Sequence, residues 1–260
     1  MHRARAYPRS GGRRWMAWVA TWVAVGGLLV GATPALSASL IANGDFEADG
    51  GSFAHWTVLN QPGRSGGNWF IQSGTLSPTS GFVVPPPPGP THAAMTDQLG
   101  VGSHILYQDF VVPTGVASGS ISFDVFIGKR KGTFFPPASL NALGVFPNQQ
   151  ARVDIMTTTA PPFSEAAGDV LLTLFQTQVG DPAVSGYTTS TTDLTALLQA
   201  HGGETLRLRF TEEDNQFYFQ MGVDRVDLAA TTVPEPSATL LLAISLAGLL
   251  AYGWRRQQAR

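Results

Sequence analysis

The sequence contains no cysteine. This absence excludes disulfide bonds, thiolate nucleophiles and cysteine-ligated zinc together. The sequence motifs of several enzyme classes are also missing. There is no Gly-x-Ser-x-Gly nucleophile elbow, no phosphate-binding glycine loop and no dinucleotide-binding fingerprint, and the five histidines lack metalloprotease spacing. We therefore expect a protein that is not an enzyme.

Charged residues are scarce, at 13% of the 260 residues, and the net charge of −2 hides an uneven distribution. Arginines precede the first apolar run and follow the last one: Arg3, Arg5, Arg9, Arg13 and Arg14, then Arg255, Arg256 and Arg260. Residues 39–233 hold 17 acidic and 8 basic side chains, a net charge of −9. Such an acidic body argues against nucleic acid as a partner. It is compatible with solubility outside the cell or with binding of divalent cations.

The N-terminal 38 residues have the layout of a secretory signal peptide. An arginine-rich leader precedes the apolar run WMAWVATWVAVGGLLVGA, and the small residues of TPALSA follow it. Cleavage is expected after Ser37 or Ala38, and an uncleaved anchor is the alternative. The arginine pair at 13–14 fits the twin-arginine pattern poorly, so we expect the general export route.

The last 28 residues, 233–260, contain a second apolar run, from Ser237 to Trp254. Its length is close to the ~20 residues that cross a bilayer core, so it predicts a single transmembrane helix. By the positive-inside rule, Arg255 and Arg256 stay on the cytoplasmic side. A buried core helix is the alternative.

This tail resembles a known sorting signal. The tripeptide Pro234-Glu235-Pro236, a hydrophobic helix and terminal arginines follow one another as in the PEP-CTERM signal of exported bacterial proteins. The resemblance implies an inner-membrane processing enzyme, exosortase, as the partner, and removal of the tail near the tripeptide. It also implies a Gram-negative host, often one that makes exopolysaccharide.

Residues 39–232 read as short strands separated by turns, which predicts an all-β sandwich. Apolar and polar residues alternate clearly in five stretches: His104–Val112, Ile121–Gly128, Ala151–Met156, Asp169–Val179 and Thr205–Phe210. A single helix is predicted after Asp193, which caps it, with Leu194, Leu197 and Leu198 on its apolar face and Gly202 at its end. The run PPPPGP (residues 85–90) predicts a stiff loop within the domain.

Two stretches at the ends of this body resemble the galactose-binding-like jelly rolls of carbohydrate-binding modules. They are LIANGDFEADGGSFAHW (residues 40–56) and LRLRFTEEDNQFYFQMGVDRVDL (residues 206–228). The resemblance implies a jelly roll whose first and last segments lie close together. It also implies a structural calcium ion between them, with Glu47 and Asp224 at the matching positions.

The motif DFEADG imitates the start of an EF-hand, but Trp56 stands where that loop needs a bidentate glutamate, so an EF-hand is excluded. Asp224 alternates with Val226 and Leu228 and therefore points toward the apolar side of its strand. A buried carboxylate must be paired, hydrogen-bonded or bound to metal. Calcium is one reading of Asp224, and an aspartate that accepts backbone N–H groups at a turn is the other.

Aromatic residues fall into two predicted groups. Phe46 and Trp56 are expected in the core. Trp69, Tyr187 and Tyr218 stand among polar residues and are candidates for an exposed platform on which sugar rings stack, with half-buried packing as the alternative.

The motif GKRKGT is the one cationic cluster of the body. Lys129, Arg130 and Lys131 join two strand-like runs, so they are expected at a solvated hairpin tip. The functional alternative is contact with an anionic exopolysaccharide.

Neighbouring acids such as Glu212 and Glu213 would point to opposite faces if they lie on a strand. A glycosidase needs two carboxylates that face each other.

Taken together, these features predict an exported, exosortase-sorted structural or adhesive module at the cell surface or in the matrix. A carbohydrate-binding module is the alternative, and a glycan-active enzyme ranks third.

Overall fold

The computed structural model describes residues 38–259, apart from residues 64–65, 99, 131–133, 183–185, 217 and 234–237. These residues form ten strands and two helices. The strands are β1 (Thr57–Asn60), β2 (Gly67–Ser73), β3 (His92–Gln98), β4 (Gly102–Val111), β5 (Val116–Lys129), β6 (Gln149–Thr157), β7 (Val170–Gln176), β8 (Thr188–Asp193), β9 (Thr205–Asp214) and β10 (Phe219–Thr232). The helices are α1 (Thr195–Ala200) and α2 (Ala238–Gln258).

The strands build two five-stranded sheets, which confirms the predicted β-sandwich. Sheet A has the order β1-β4-β9-β6-β7 and sheet B has the order β2-β3-β10-β5-β8, and all neighbours are antiparallel. The pairs β3–β10, β4–β9, β5–β8 and β6–β7 are nested along the chain. Nested pairing of eight strands across two sheets is the topology of a jelly roll.

Period-2 alternation places one face of each central strand inside the sandwich. On β9, Leu206, Leu208 and Phe210 are buried in the core between the sheets. Residues Phe123 and Val125 of β5 face them from sheet B. All five predicted strands exist, and the structure extends β5 by six residues and β9 by four beyond the predicted ranges.

The beginning of the body packs against its last strand, as the resemblance implied. The N–H of Leu40 donates to the carbonyl of Leu228 at 2.8 Å, and the N–H of Val226 donates to the carbonyl of Gly44 at 2.9 Å. Phe46 and Trp56 are buried, as predicted. Their rings lie 5.5 Å apart, and Trp56 continues to Phe210 of sheet A at 5.9 Å.

Three loops cover the outer faces of the sheets. The β5–β6 loop reaches over sheet A, where Ser139 accepts a hydrogen bond from Gln150 at 2.8 Å. The β6–β7 loop does the same through Pro162, whose carbonyl accepts from Arg209 at 2.5 Å. The proline-rich segment connects β2 to β3 within sheet B, so it is a loop of the domain, as predicted. The carbonyl of Pro85 accepts from Gln72 at 2.7 Å.

Helix α1 forms where it was predicted, but its N-cap residue is Leu194, which makes no side-chain cap hydrogen bond, so Asp193 is not the N-cap. The N–H of Thr195 donates to the Asp193 carboxylate at 2.7 Å, which satisfies one of the free donors at the start of the helix. Leu194 and Leu198 are buried against the core, and the helix ends at Ala200.

Helix α2 occupies most of the C-terminal apolar run. Its large apolar side chains from Leu242 to Trp254 are 50–74% exposed, so the alternative of a buried core helix is wrong. Among the described residues, no helix reaches the length and apolarity of a membrane span, and the structure does not support the predicted transmembrane helix. The predicted signal peptide and the Pro234-Glu235-Pro236 motif lie outside the described residues.

Candidate functional site

A half-exposed cluster of two aromatic rings and an arginine lies at one end of sheet B. It consists of Phe82, Arg130 and Tyr218 and is called the aromatic–arginine cluster below. The Arg130 guanidinium lies 4.6 Å from the centre of the Phe82 ring, and the Phe82 and Tyr218 rings meet edge to face at 5.1 Å. Tyr218 is 39% exposed. The cluster therefore presents a ring and a cation side by side to solvent.

A buried polar layer fixes the guanidinium in place. Arg130 donates to Gln220 Oε1 at 2.8 Å, and Gln220 donates to Asp97 Oδ1 at 2.9 Å. Burial opposes ionisation of Asp97, but N–H groups of Ser80 and Thr79 and the Ser80 hydroxyl outweigh it and lower the pKa of Asp97. Burial lowers the pKa of Arg130, and the Asp97 charge opposes that shift. The arginine is thus oriented by a carboxylate beneath it.

The cationic hairpin is not the surface feature that the sequence predicted. Lys129 is buried, and its Nζ donates to Gln149 Oε1 inside the sandwich. Nζ also lies 4.9 Å from the centre of the Phe135 ring. The prediction of a solvated, polysaccharide-contacting side chain is therefore wrong for Lys129, because the inward phase of β5 continues to its last residue. Lys131 lies outside the described residues.

The predicted platform of three exposed rings does not form. Trp69 is 1% exposed and belongs to the core, because β2 turns this residue inward against sheet A. Tyr187 is half-buried, and its hydroxyl donates to Gln72 Oε1 at 2.8 Å. Of the three rings, Tyr218 has the outward exposure that stacking requires.

Glu47 uses its carboxylate to hold the segment before β3. Its oxygens accept from the hydroxyl and N–H of Thr91, at 2.5 and 2.7 Å, and from the N–H of His92 at 2.7 Å. Nδ1 of His92 lies 2.6 Å from the same carboxylate. The hydrogen bonds with the side chains of Thr91 and His92 are the main reasons why the pKa of Glu47 falls to about 2.

The Asp224 carboxylate binds the same segment at Gly89, two residues before Thr91. It is fully buried and accepts N–H groups from Gly89 at 2.6 Å and from Arg225 at 2.7 Å. Burial raises the pKa of Asp224 to about 6, and Asp124 stands directly opposite on β5. This geometry matches the second reading of Asp224, an acceptor of backbone N–H groups. In the described part of the chain, no group of three or more His, Asp or Glu side chains could hold a metal, and calcium at Glu47 and Asp224 stays a prediction.

A polar groove of about 480 Å³ lies beside these residues, between the N-terminal segment and β10. Asn43, Asp45, Arg225 and Asp227 line it. Asn43 and Arg225 adopt positive φ angles of 51° and 48°, a conformation that costs free energy for non-glycine residues. The groove thus combines backbone strain with carboxylates and a guanidinium that can contact a polar ligand.

Three consecutive acids at the end of β9, Glu212, Glu213 and Asp214, are all fully buried. Leu208 and Phe210 face the core, so Glu212 and Asp214 continue that face and Glu213 lies on the outer face of sheet A. Burial raises the pKa of Glu212 well above its usual value and that of Glu213 to about 9. The alternation was visible in the sequence, but the loop that buries Glu213 was not.

A buried ion network occupies the middle of the same outer face. Arg209 donates to Asp154 Oδ2 at 2.5 Å, and Arg152 donates to Asp154 Oδ1 at 2.7 Å. Arg152 also pairs with Glu165 of the β6–β7 loop at 2.5 Å. Two guanidinium groups and two carboxylates balance one another, so the network is neutral.

Comparison with known proteins gives a short sequence match and several distant structural ones. No curated protein sequence matches the chain. A Stig cyclase from Fischerella sp. TAU is 16% identical, with a TM-score of 0.44 over 76% of this chain and 100% of its own. TmCBM61, solved with β-1,4-galactotriose, is 12% identical, with a TM-score of 0.41 over 75% of this chain and 99% of its own. The enzymatically active domain of tailspike protein 4 from bacteriophage CBA120 is 10% identical, with a TM-score of 0.42 over 74% of this chain and 21% of its own.

The sequence match falls on the tail. Residues 232–257 match the family described as the PEP-CTERM protein-sorting motif. Within this range α2 supplies the helix, and Arg255 and Arg256 lie in its last turn. The match confirms the resemblance seen in the sequence. The chain therefore carries a PEP-CTERM protein-sorting motif, which implies an exported protein that exosortase sorts.

Proposed function

We propose that the protein is a non-catalytic structural or adhesive module, delivered by exosortase to the cell surface or the extracellular matrix. One observation carries this proposal: the last strand of the sandwich, β10, ends at Thr232, and the sorting motif begins at residue 232. Processing near Pro234-Glu235-Pro236 therefore leaves every strand of the jelly roll in the released part.

The tail acts before that release. Helix α2 holds the chain at the inner membrane while exosortase acts, and two features support this role. Its large apolar side chains from Leu242 to Trp254 are exposed. Arg255 and Arg256 close it with positive charge, which favours the anionic inner surface of a membrane.

The placement of the acidic groups supports a role without catalysis. Glu212, Glu213 and Asp224 have the strongly raised pKa values that often mark catalytic acids. All three are fully buried, so a polymeric substrate does not reach them in this structure. Their shifts follow from enclosure within the sandwich and its covering loops.

Carbohydrate binding is the second candidate function, and the aromatic–arginine cluster favours it. An exposed Tyr218 ring suits the C–H face of a sugar, and Arg130 beside it suits hydroxyl or carboxylate groups of the same chain of sugars. The cluster is preorganised by Gln220 and Asp97, which reduces the entropy lost on binding.

Mass spectrometry of the protein recovered from its host tests the main proposal. We expect the surface or matrix fraction to contain a chain that begins near residue 38 and ends near Pro234-Glu235-Pro236. Substitution of all three motif residues by alanine should leave the uncleaved chain in the membrane fraction. A surface-released protein that still carries Arg255 and Arg256 would contradict the proposal, as would a chain found in the cytosol.

A further inference from the structure

The outer face of sheet A carries one buried carboxyl group, that of Glu213, which has no cationic partner among the described residues. Arg209, Arg152, Asp154 and Glu165 neutralise one another in the middle of this face. Glu213, at the end of the face, has no hydrogen-bond partner at either carboxylate oxygen. Burial without a counter-charge favours the protonated form of Glu213, so a cation that binds here takes the place of that proton.

Two buried hydroxyl groups on the same face also lack partners. Ser103 lies directly opposite Glu213 in the β4–β9 register, and Thr211 lies two residues before it on β9. Ser103 Oγ and Thr211 Oγ1 are buried, and neither has a hydrogen-bond partner. Side chains that are opposite or two residues apart on one face are about 5–7 Å apart at Cβ. Four oxygen atoms without partners thus share one corner of the sheet.

A short segment of the β5–β6 loop closes this corner. The Ser139 carbonyl accepts from Gln150, which is the β6 neighbour of Glu213. The N–H of Ala142 donates to Gln61 at 2.9 Å, and Gln61 donates to Asn141 at 2.7 Å. The loop is therefore held over Glu213 by hydrogen bonds to two different strands or their ends.

We propose that Glu213, Ser103 and Thr211 form a buried site for a hard cation, Ca²⁺ or Na⁺, on the outer face of sheet A. Carboxylate and hydroxyl oxygens are the donors that such cations take, and backbone carbonyls or water complete the usual six to eight positions. One ion satisfies all four oxygen atoms and displaces the proton of the Glu213 carboxyl group. A hydrogen-bonded water satisfies the hydroxyls but supplies no positive charge to the Glu213 carboxylate.

This site differs from the calcium position that the sequence resemblance implied. There, the Glu47 carboxylate already accepts from Thr91 and His92, so an ion has to displace those donors. At Glu213 an ion displaces no protein donor. One position lies between the N-terminal segment and β10 of sheet B and the other lies on sheet A, so the two can be separated by substitution.

Thermal unfolding of the full chain, kept in mild detergent, tests the proposal. For calcium, the Tm of chelator-treated protein is compared with the Tm in CaCl2. For sodium, the Tm in choline chloride is compared with the Tm in NaCl, and the ionic strength is the same throughout. We expect one of the two cations to raise Tm by about 5 °C at a hundredfold excess over its Kd, because the ion binds the folded state only. Either cation supports the site, and the two comparisons identify which one it takes.

Variants locate the ion. Glu213→Gln should abolish the rise in Tm, and Ser103→Ala and Thr211→Val should reduce it, since each removes one oxygen with little change of shape. Glu47→Gln is the matched control and should keep the full rise. The proposal is overturned if neither cation raises Tm, if Glu213→Gln keeps the rise, or if Glu47→Gln alone removes it.

Discussion

His104 on β4 lies directly opposite Glu212 on β9, and both side chains are fully buried at one end of the sandwich interior. Burial lowers the pKa of His104 from 6.5 to about 4 and raises that of Glu212 well above 4.5. The folded pair therefore keeps one proton, on Glu212. The unfolded pair also keeps one proton between pH 4.5 and 6.5, but on the histidine. In this window the pair contributes no pH dependence to the free energy of unfolding.

Replacement of Glu212 by Gln should expose the contribution of His104. The folded variant binds no proton at this pair above pH 4, whereas the unfolded chain binds one until pH 6.5. Its stability should therefore rise from pH 4 to 6.5, relative to wild type, by about 3 kcal/mol. Urea unfolding across this range measures the difference between the two curves, in which all other groups cancel. Parallel curves would contradict the assigned protonation state.

Replacement of His104 by Gln should have the opposite sign. The folded variant keeps the proton on Glu212, and the unfolded chain releases it above pH 4.5. Relative to wild type, stability should fall as the pH rises above 4.5, because burial holds the pKa of Glu212 above its usual value in the folded protein. The same urea titration reports it. A curve that stays flat across this window would show that Glu212 is ionised in the folded protein.

Asp154→Asn should be among the most destabilising conservative changes in the chain. It leaves Arg209 and Arg152 buried without their shared carboxylate, which costs about 3–5 kcal/mol. Asp109→Asn is the matched control, because its pair with Arg207 is also bidentate but Asp109 is 37% exposed. The loss in free energy of unfolding for Asp109→Asn should stay below about 1 kcal/mol. Equal losses in chemical denaturation would refute the distinction.

Gly44→Ala should weaken the docking of the N-terminal segment on β10. A methyl group at Gly44 would lie 2.0 Å from the Val226 carbonyl oxygen, so the two backbones must separate. A loss of about 1–3 kcal/mol is expected, with faster hydrogen exchange at the Val226 amide. Gly168→Ala, where a methyl group meets nothing within 4 Å, should change stability by less than about 0.5 kcal/mol. A harmless Gly44→Ala would mean that the segment is not held this closely.

Tyr218→Ala should weaken glycan binding if the aromatic–arginine cluster is a sugar site. Loss of one stacked ring is worth about 1.4 kcal/mol, or about tenfold in Kd. Binding to host exopolysaccharide and to a glycan array provides the measurement. Phe146→Ala removes an exposed ring elsewhere, on the β5–β6 loop, and should leave binding unchanged. Equal affinity of the two variants would remove the cluster as the binding site.

The strands could be predicted from the sequence because alternation is a local property. The burial of the acids at the end of β9 could be predicted from the sequence only in part. The same alternation that buries Leu208 and Phe210 carries Glu212 inward, but Glu213 is buried by residues about 70 positions earlier in the chain, in a loop that has no periodicity. Lys129 shows a related effect: a cationic cluster is usually solvated, yet the inward phase of β5 overrode that tendency. Local pattern determined the elements, and long-range loop packing determined the candidate sites.

The position of β10 has a consequence for the order of events during secretion. It lies between β3 and β5 at the centre of sheet B, and it also hydrogen-bonds to residues at the start of the body. In the proposed export route the N-terminus leaves the channel first, so nine strands emerge before the strand that joins them. The jelly roll is completed only when residue 232 has left the channel, and the sorting motif begins at that residue. In the proposed function, exosortase then acts on a chain whose strands have all left the channel.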